Sequence, residues 1–170
     1  MGRLTVWGLL AVGLVIAMAP DEALAAPPRV RCALWQGDVN RPHDTWDGKD
    51  CLLKAVVDDP DGAADLSGAA FEWDFGDATP VVTGALAGPG PVHVAHAYAG
   101  GVGTPYVAKL TVTDTNGEKG SDTYLVTVRA KTLTTEINVA IDDGLWYLYR
   151  IQNKGLGRWE EGGWYFVSQT

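Results

Sequence analysis

Four aspartates, Asp58, Asp59, Asp61 and Asp65, fall close together in the chain, and Asp74 and Asp77 follow shortly after. Hard cations draw several carboxylate and carbonyl oxygens from one loop, so the cluster points to calcium, with Asp58, Asp59 and Asp61 as its ligands. The competing reading is turn chemistry: Asp59-Pro60-Asp61-Gly62 is turn-forming, and Asp74 and Asp77 can satisfy nearby backbone N–H groups. The spaced Asp-x-Asp-x-Asp-Gly loop with a distal glutamate is missing. A glycosidase would need two carboxylates flanking a substrate cleft at a set separation, and nothing else in the sequence builds such a cleft.

Other constellations are weaker. His93 and His96 stand three apart, which on a strand sends them to opposite faces, so they cannot chelate one ion. No serine has a matching His and Asp order, and no Gly-x-Ser-x-Gly elbow occurs. Gly100-Gly101-Val102-Gly103 lacks the following helix and the Gly-Lys-Ser/Thr of a phosphate loop. No catalytic residue is assigned, the chain is read as a non-enzyme, and no cofactor is expected apart from calcium. Trp35, Trp46, Trp146, Trp159 and Trp164 could stack on sugar rings or could pack internally. Trp146, Trp159, Trp164 and Tyr165 are the binding candidates, because that part of the chain has few other apolar residues to cover them.

The elements that must position these groups fit one ordinary domain. The chain has 170 residues, 46% hydrophobic and 20% charged, enough to bury a core and unlike a disordered segment. Gly and Pro together make 30 of 170 (21 plus 9), a turn-rich share that favours an all-β fold. The net charge of -8 repels phosphate backbones and anionic lipid, so nucleic acid is not an expected partner.

Arg3, the apolar stretch Leu4 to Met18, and Ala23-Leu24-Ala25 read as a signal peptide over residues 1–25. The apolar stretch is shorter than the roughly 20 residues needed to span a bilayer, so a retained membrane anchor is not expected. Secretion to the cell surface, the periplasm or the medium follows. Cys32 and Cys51 are the only cysteines, and an oxidising compartment favours a disulfide between them; two buried free thiols are the alternative.

Residues 27 to 50 are polar and turn-rich, an N-terminal extension. From Cys51 the pattern has period two: Cys51, Leu53, Ala55 and Val57 share one face, and Phe71, Trp73 and Phe75 alternate in the same way. A Gly- and Pro-rich excursion from Gly84 to Pro91 precedes Val92 and Val94. Tyr106, Ala108, Leu110 and Val112 face one way, Asn116-Gly117 signals a hairpin, and Tyr124, Val126 and Val128 return. Short strands about ten residues apart predict a β-sandwich over 26–130. Ile137, Ile141, Leu145, Leu148 and Gln152 then recur at helical spacing, with Thr134 or Thr135 as cap and Gly155 as terminator, so 131–170 reads as an amphipathic helix plus an aromatic tail.

The run Trp73-Asp74-Phe75-Gly76-Asp77, then His96-Ala97-Tyr98, then Leu110-Thr111-Val112-Thr113-Asp114 before Asn116-Gly117, resembles the PKD (polycystic kidney disease) domain over roughly 51–128. The resemblance implies an immunoglobulin-like Greek-key sandwich, with Trp73, Asp74, Gly76, Asp77, His96 and Tyr98 as structural motif residues. It also implies a non-catalytic module for adhesion, spacing or contact with a protein or polysaccharide. The chain departs from the family at Ala78, where a glycine is usual, and in the length of 77–96. Gly144, Tyr147-Leu148, Gln152, Gly157 and Trp159 resemble a single QW repeat of squalene cyclase and prenyltransferase toroids. That implies an alternative role as the N-terminal accessory part of a larger secreted toroid protein.

Overall fold

The computed structural model describes residues 25–32, 43–153, 158–161 and 164–165. The signal-peptide reading therefore lies outside the described residues except for Ala25, as do Trp35, Gly155 and Gly157. In chain order the elements are β1 (Arg29–Arg31), β2 (His43–Thr45), β3 (Asp50–Asp58), β4 (Ala70–Asp74), β5 (Val82–Ala85), β6 (Gly90–Ala97), β7 (Pro105–Thr113) and β8 (Lys119–Val128). They are followed by α1 (Leu133–Ile151), β9 (Gln152–Asn153), β10 (Arg158–Glu161) and β11 (Trp164–Tyr165).

Two sheets face each other, one ordered β1-β3-β6 and the other β2-β8-β7-β4-β5. All pairings are antiparallel except β2 on β8, and the chain crosses between sheets from β1 to β2, from β2 to β3, from β3 to β4, from β5 to β6 and from β6 to β7. This is an immunoglobulin-like β-sandwich with one C-terminal helix. Period-two burial makes it. Leu53, Ala55 and Val57 of β3 meet Trp73 of β4, Leu110 and Val112 of β7, and Val126 of β8, all fully buried. Each large apolar side chain so buried contributes roughly 1.5–3 kcal/mol.

Three local details refine the sequence reading. The excursion at 84–91 is partly strand, since β5 runs through Ala85 and β6 starts at Gly90. The hairpin signalled by Asn116-Gly117 joins β7 to β8, and its connection is five residues long, because Thr113 pairs with Lys119. Buried Asp114 organises that connection by accepting from the N–H groups of Asn116 and Glu118 at 2.8 and 2.9 Å. The helix begins earlier than expected. Its cap is Thr132, whose hydroxyl accepts from the Thr135 N–H at 3.3 Å, while Thr135 donates back to the Ala130 carbonyl.

The larger correction concerns which face of α1 packs. Ile137, Ile141 and Leu145 are exposed, and the buried residues are Thr135 and Trp146. The cause lies on the sandwich, where Lys54 projects from the outer face of β3. Only the Asp142–Asp143 side of α1 brings carboxylates to it. An unpaired buried ammonium costs several kcal/mol, more than leaving a few half-exposed aliphatic residues in water.

The described residues of the tail form a small antiparallel sheet ordered β11-β10-β9. Gln152 pairs with Trp159 and Glu160 with Tyr165. Of the residues that carry the QW resemblance, Gln152 opens β9 and Trp159 lies opposite it in β10. No helix among the described residues is long and apolar enough to cross a membrane.

Candidate functional site

The most concentrated polar chemistry joins α1 to the sandwich. Leu53 and Ala55 point into the core, so Lys54 between them points outward, and α1 covers it completely. Its Nζ lies 2.6 Å from Asp142 Oδ2 and 2.8 Å from Asp143 Oδ1. His43 Nδ1 reaches the same Asp142 oxygen at 3.2 Å, and the His43 ring stacks on Tyr124 with centroids 3.9 Å apart. Burial works to raise the Asp142 pKa, but His43 and Lys54 overrule it and hold the carboxyl far below the usual carboxylate range.

Polar contacts extend this joint in both directions. Toward the helix start, Asn138 donates to Asp44 Oδ2 at 3.3 Å, and Arg129 bonds Asp44 Oδ1 at 2.9 Å. Toward its end, Trp146 meets His93 edge-on and stacks on Tyr149, and Arg150 lies 3.3 Å from His93 Nε2. Burial, and then the Arg150 charge, lower the His93 pKa. Lys54 has no accessible atoms, so no substrate reaches it. What the cluster can do is latch the helix. Sequence reasoning passed over Lys54, His43 and Asp142, although a lysine set among Leu53, Ala55, Val56 and Val57 was the available signal.

The second cluster is built from the aromatic motif residues. Asp74 accepts from the Gly76 N–H at 2.9 Å, and Asp77 accepts from the Thr79 N–H and hydroxyl at 3.1 and 2.5 Å. Asp77 Oδ2 bonds His96 Nε2 at 2.7 Å, and the His96 ring lies flat on Phe75 at 3.8 Å. Tyr98 donates its hydroxyl to the Phe75 carbonyl at 3.2 Å and stacks on Tyr106. Burial raises the Asp77 pKa, but the bonds from Thr79 and His96 outweigh it and leave the carboxyl below its usual value. Gly76 has φ +72, and a Cβ there would meet the Val107 carbonyl oxygen at 2.3 Å, so this turn admits only glycine.

Of the proposed calcium ligands the structure brings Asp59 and Asp61 together and adds Asp65, their oxygens within 4.8 Å of one another. Asp58 is not in that group. It turns to the neighbouring strand, bonding Arg31 at 2.8 Å and approaching Arg29 at 3.8 Å. Two of the three already accept backbone bonds: Asp59 from the Asp61 N–H, and Asp61 from the Ala26 N–H of the N-terminal lead-in.

The disulfide is not formed; Cys32 and Cys51 are free and buried. Register explains it. Arg31 pairs with Val56, so Cys32 comes level with the next residue along, and Cys51 lies four residues further down β3, about 13 Å at strand rise and beyond a bridge's reach. Burial pushes the Cys51 thiol up to about 12, and burial with Asp122 raises that of Cys32, so both stay protonated and unreactive at neutral pH.

Trp146 is buried, so it offers no face to a sugar. The backbones of Trp159, Trp164 and Tyr165 lie in β10 and β11, and their side chains lie outside the described residues.

No family model matches the chain, and no curated protein matches it. Among solved structures it is similar to the PKD domain of an M14-like peptidase from Thermoplasmatales archaeon SCGC AB-540-F20, with 19% identity, 61% of this chain and 93% of that one covered, and a TM-score of 0.40. It is also similar to the PKD1 domain of Vibrio anguillarum Epp, at 17% identity, 62% and 96% coverage and a TM-score of 0.33. A third is the PKD1 domain from Vibrio cholerae metalloprotease PrtV, at 21% identity, 49% and 95% coverage and a TM-score of 0.31.

Proposed function

We propose that this chain is a secreted, non-catalytic module that works by contact and spacing, binding a protein or polysaccharide at the cell surface through its loops and tail aromatics. The observation that carries the reading is how its ionisable groups are used. Lys54, His43 and Asp142 lock α1 to the sandwich, and Asp74, Asp77, His96 and Asp114 hold turns. A helix latched this firmly fixes the direction in which the chain leaves the sandwich, which is what a spacer requires. The order of the three motifs between Trp73 and Gly117 supports the same reading.

The test is a pull-down on cell-surface polysaccharide and on cell-envelope protein with the wild type, a Trp159→Ala/Trp164→Ala variant, and Asp74→Asn and Asp77→Asn variants. Retention should fall in the tail variant and persist in the acid variants at temperatures where they stay folded. An enzymatic activity that survives purification and vanishes in a folded Asp74→Asn or Asp77→Asn protein would overturn it.

A further inference from the structure

We propose that Asp59, Asp61 and Asp65 hold the amino terminus that signal-peptide removal creates at Ala26, so that export processing itself clasps the N-terminal lead-in to the sandwich. The proposal rests on the secreted reading above. The observation behind it is a bond already in place: the Ala26 N–H donates to Asp61 Oδ2 at 2.5 Å, across 35 residues of sequence. Ala26 is also the residue that follows Ala23-Leu24-Ala25, the small-x-small pattern that signal peptidase recognises. The bond and the cut therefore fall on one nitrogen.

Hydrolysis of the Ala25–Ala26 peptide bond consumes one water. Ala25 departs with a carboxylate, and the Ala26 nitrogen changes from an amide with one N–H into an α-ammonium with three donors and a positive charge. That charge appears where three carboxylate oxygens lie within 4.8 Å of one another. Asp61 already faces the nitrogen, and Asp59 Oδ2 is buried with no hydrogen-bond partner, an acceptor in reserve. In the precursor the three acids repel one another around a neutral amide. After the cut an opposite charge stands among them, which favours their ionised form and that of the ammonium alike. The grip continues into β1, because Asp58 at the start of the same loop holds Arg29 and Arg31. β1 is an edge strand of three residues, so its ladder is short and pinning on both sides decides whether it stays.

The test expresses the full chain in an exporting bacterial host, sequences the N-terminus of the exported protein, and compares its melting with the free and the acetylated α-amine. Acetylation at about pH 6.5 selects the α-amine, whose ordinary pKa is about 8, over lysine at about 10.4. Sequencing should read Ala26-Pro27-Pro28. Acetylation should lower the melting temperature at pH 6.5 by about 2–4 °C. An ammonium held by acids titrates above its unfolded value, so its contribution is complete below about pH 7.7 and is lost as pH rises through the folded value. The two forms should therefore melt together once the free amine is neutral. In Asp61→Asn the effect of acetylation should fall by at least about half. The α-amine followed by NMR in the wild type should titrate above about 8, a readout that needs no variant. A purified chain that keeps Met1 overturns this proposal and the secreted reading together. An N-terminus other than Ala26, an acetylated form that melts unchanged, or an α-amine that titrates at its ordinary value overturns the clasp and leaves secretion standing.

Discussion

Lys54 on β3 and Asp142 on α1, 88 residues apart in sequence, meet at 2.6 Å with the lysine wholly inaccessible to solvent. The two ends of this pair are not equivalent. Asp143, the second carboxylate on Lys54, keeps 41% of its side chain exposed, so the acids can recover water when the lysine is lost. The lysine cannot when the acids are lost. Asp142→Asn with Asp143→Asn should therefore cost about 3–5 kcal/mol, and Lys54→Met only about 1–2 kcal/mol. Urea unfolding of both and of the triple variant measures the asymmetry; equal costs would mean that Lys54 reaches solvent when the helix loosens.

The same joint sets the response to acid. Asp142 and Asp77 are depressed in the fold, so each contributes stability that is present above the unfolded carboxylate value near 4 and is lost as pH falls below it. His93 is also depressed, so the unfolded chain takes up its proton first and stability declines as pH falls below about 6.5. Melting curves from pH 7.5 to 3 should show both windows. His93→Gln should flatten the upper one alone, and a profile unchanged by it would show that His93 is solvated.

Much of the sandwich was legible because its signal is local. Leu53, Ala55 and Val57, and likewise Ala108, Leu110 and Val112, alternate with residues facing away, and a period of two has one structural meaning. The helix was legible as a helix but not as a docked element. Ile137, Ile141 and Leu145 carry the periodicity that normally marks the packed face, while the face that packs is chosen by one lysine 88 residues before its partner aspartate. The cysteines fail for a related reason. A favourable compartment and 19 residues of separation say nothing about register, and register decides.

Asp59, Asp61 and Asp65 place three carboxylates within 4.8 Å. In chelator they repel one another, so Asp65→Asn should raise stability by a few tenths of a kcal/mol. The expectation of calcium is tested in the same melting experiment, because an ion held by the trio would stabilise the wild type and leave Asp65→Asn unchanged. A wild type indifferent to millimolar calcium would reduce the cluster to turn chemistry.

Gly120 on β8 lies under the N-terminal lead-in, where an added Cβ would stand 1.8 Å from the Pro28 carbonyl oxygen. Gly120→Ala must push residues 26–31 off the sandwich, at about 1–3 kcal/mol. Hydrogen exchange should then show Arg29–Arg31 losing protection while β7 and β8 keep theirs. Unchanged protection in β1 would mean that the lead-in shifts without releasing its strand.

Ala78 has φ +64, the left-handed region, directly after Asp77 and at the position where the resemblance expects glycine. The turn is imposed on it, since Asp77 holds the Thr79 N–H and hydroxyl while His96 holds Asp77 from the other side. A non-glycine residue there carries about 1–2 kcal/mol of backbone strain. Replacing it by glycine also loosens the unfolded chain, which returns about 0.4–1 kcal/mol. Ala78→Gly should therefore stabilise the protein by about 0.5–1 kcal/mol, and Ala78→Val, with a branched Cβ in the same conformation, should destabilise it. Thermal unfolding of the two variants side by side decides the matter: opposite signs locate strain at Ala78, and two losses would show that the Asp77 turn relaxes around the alanine.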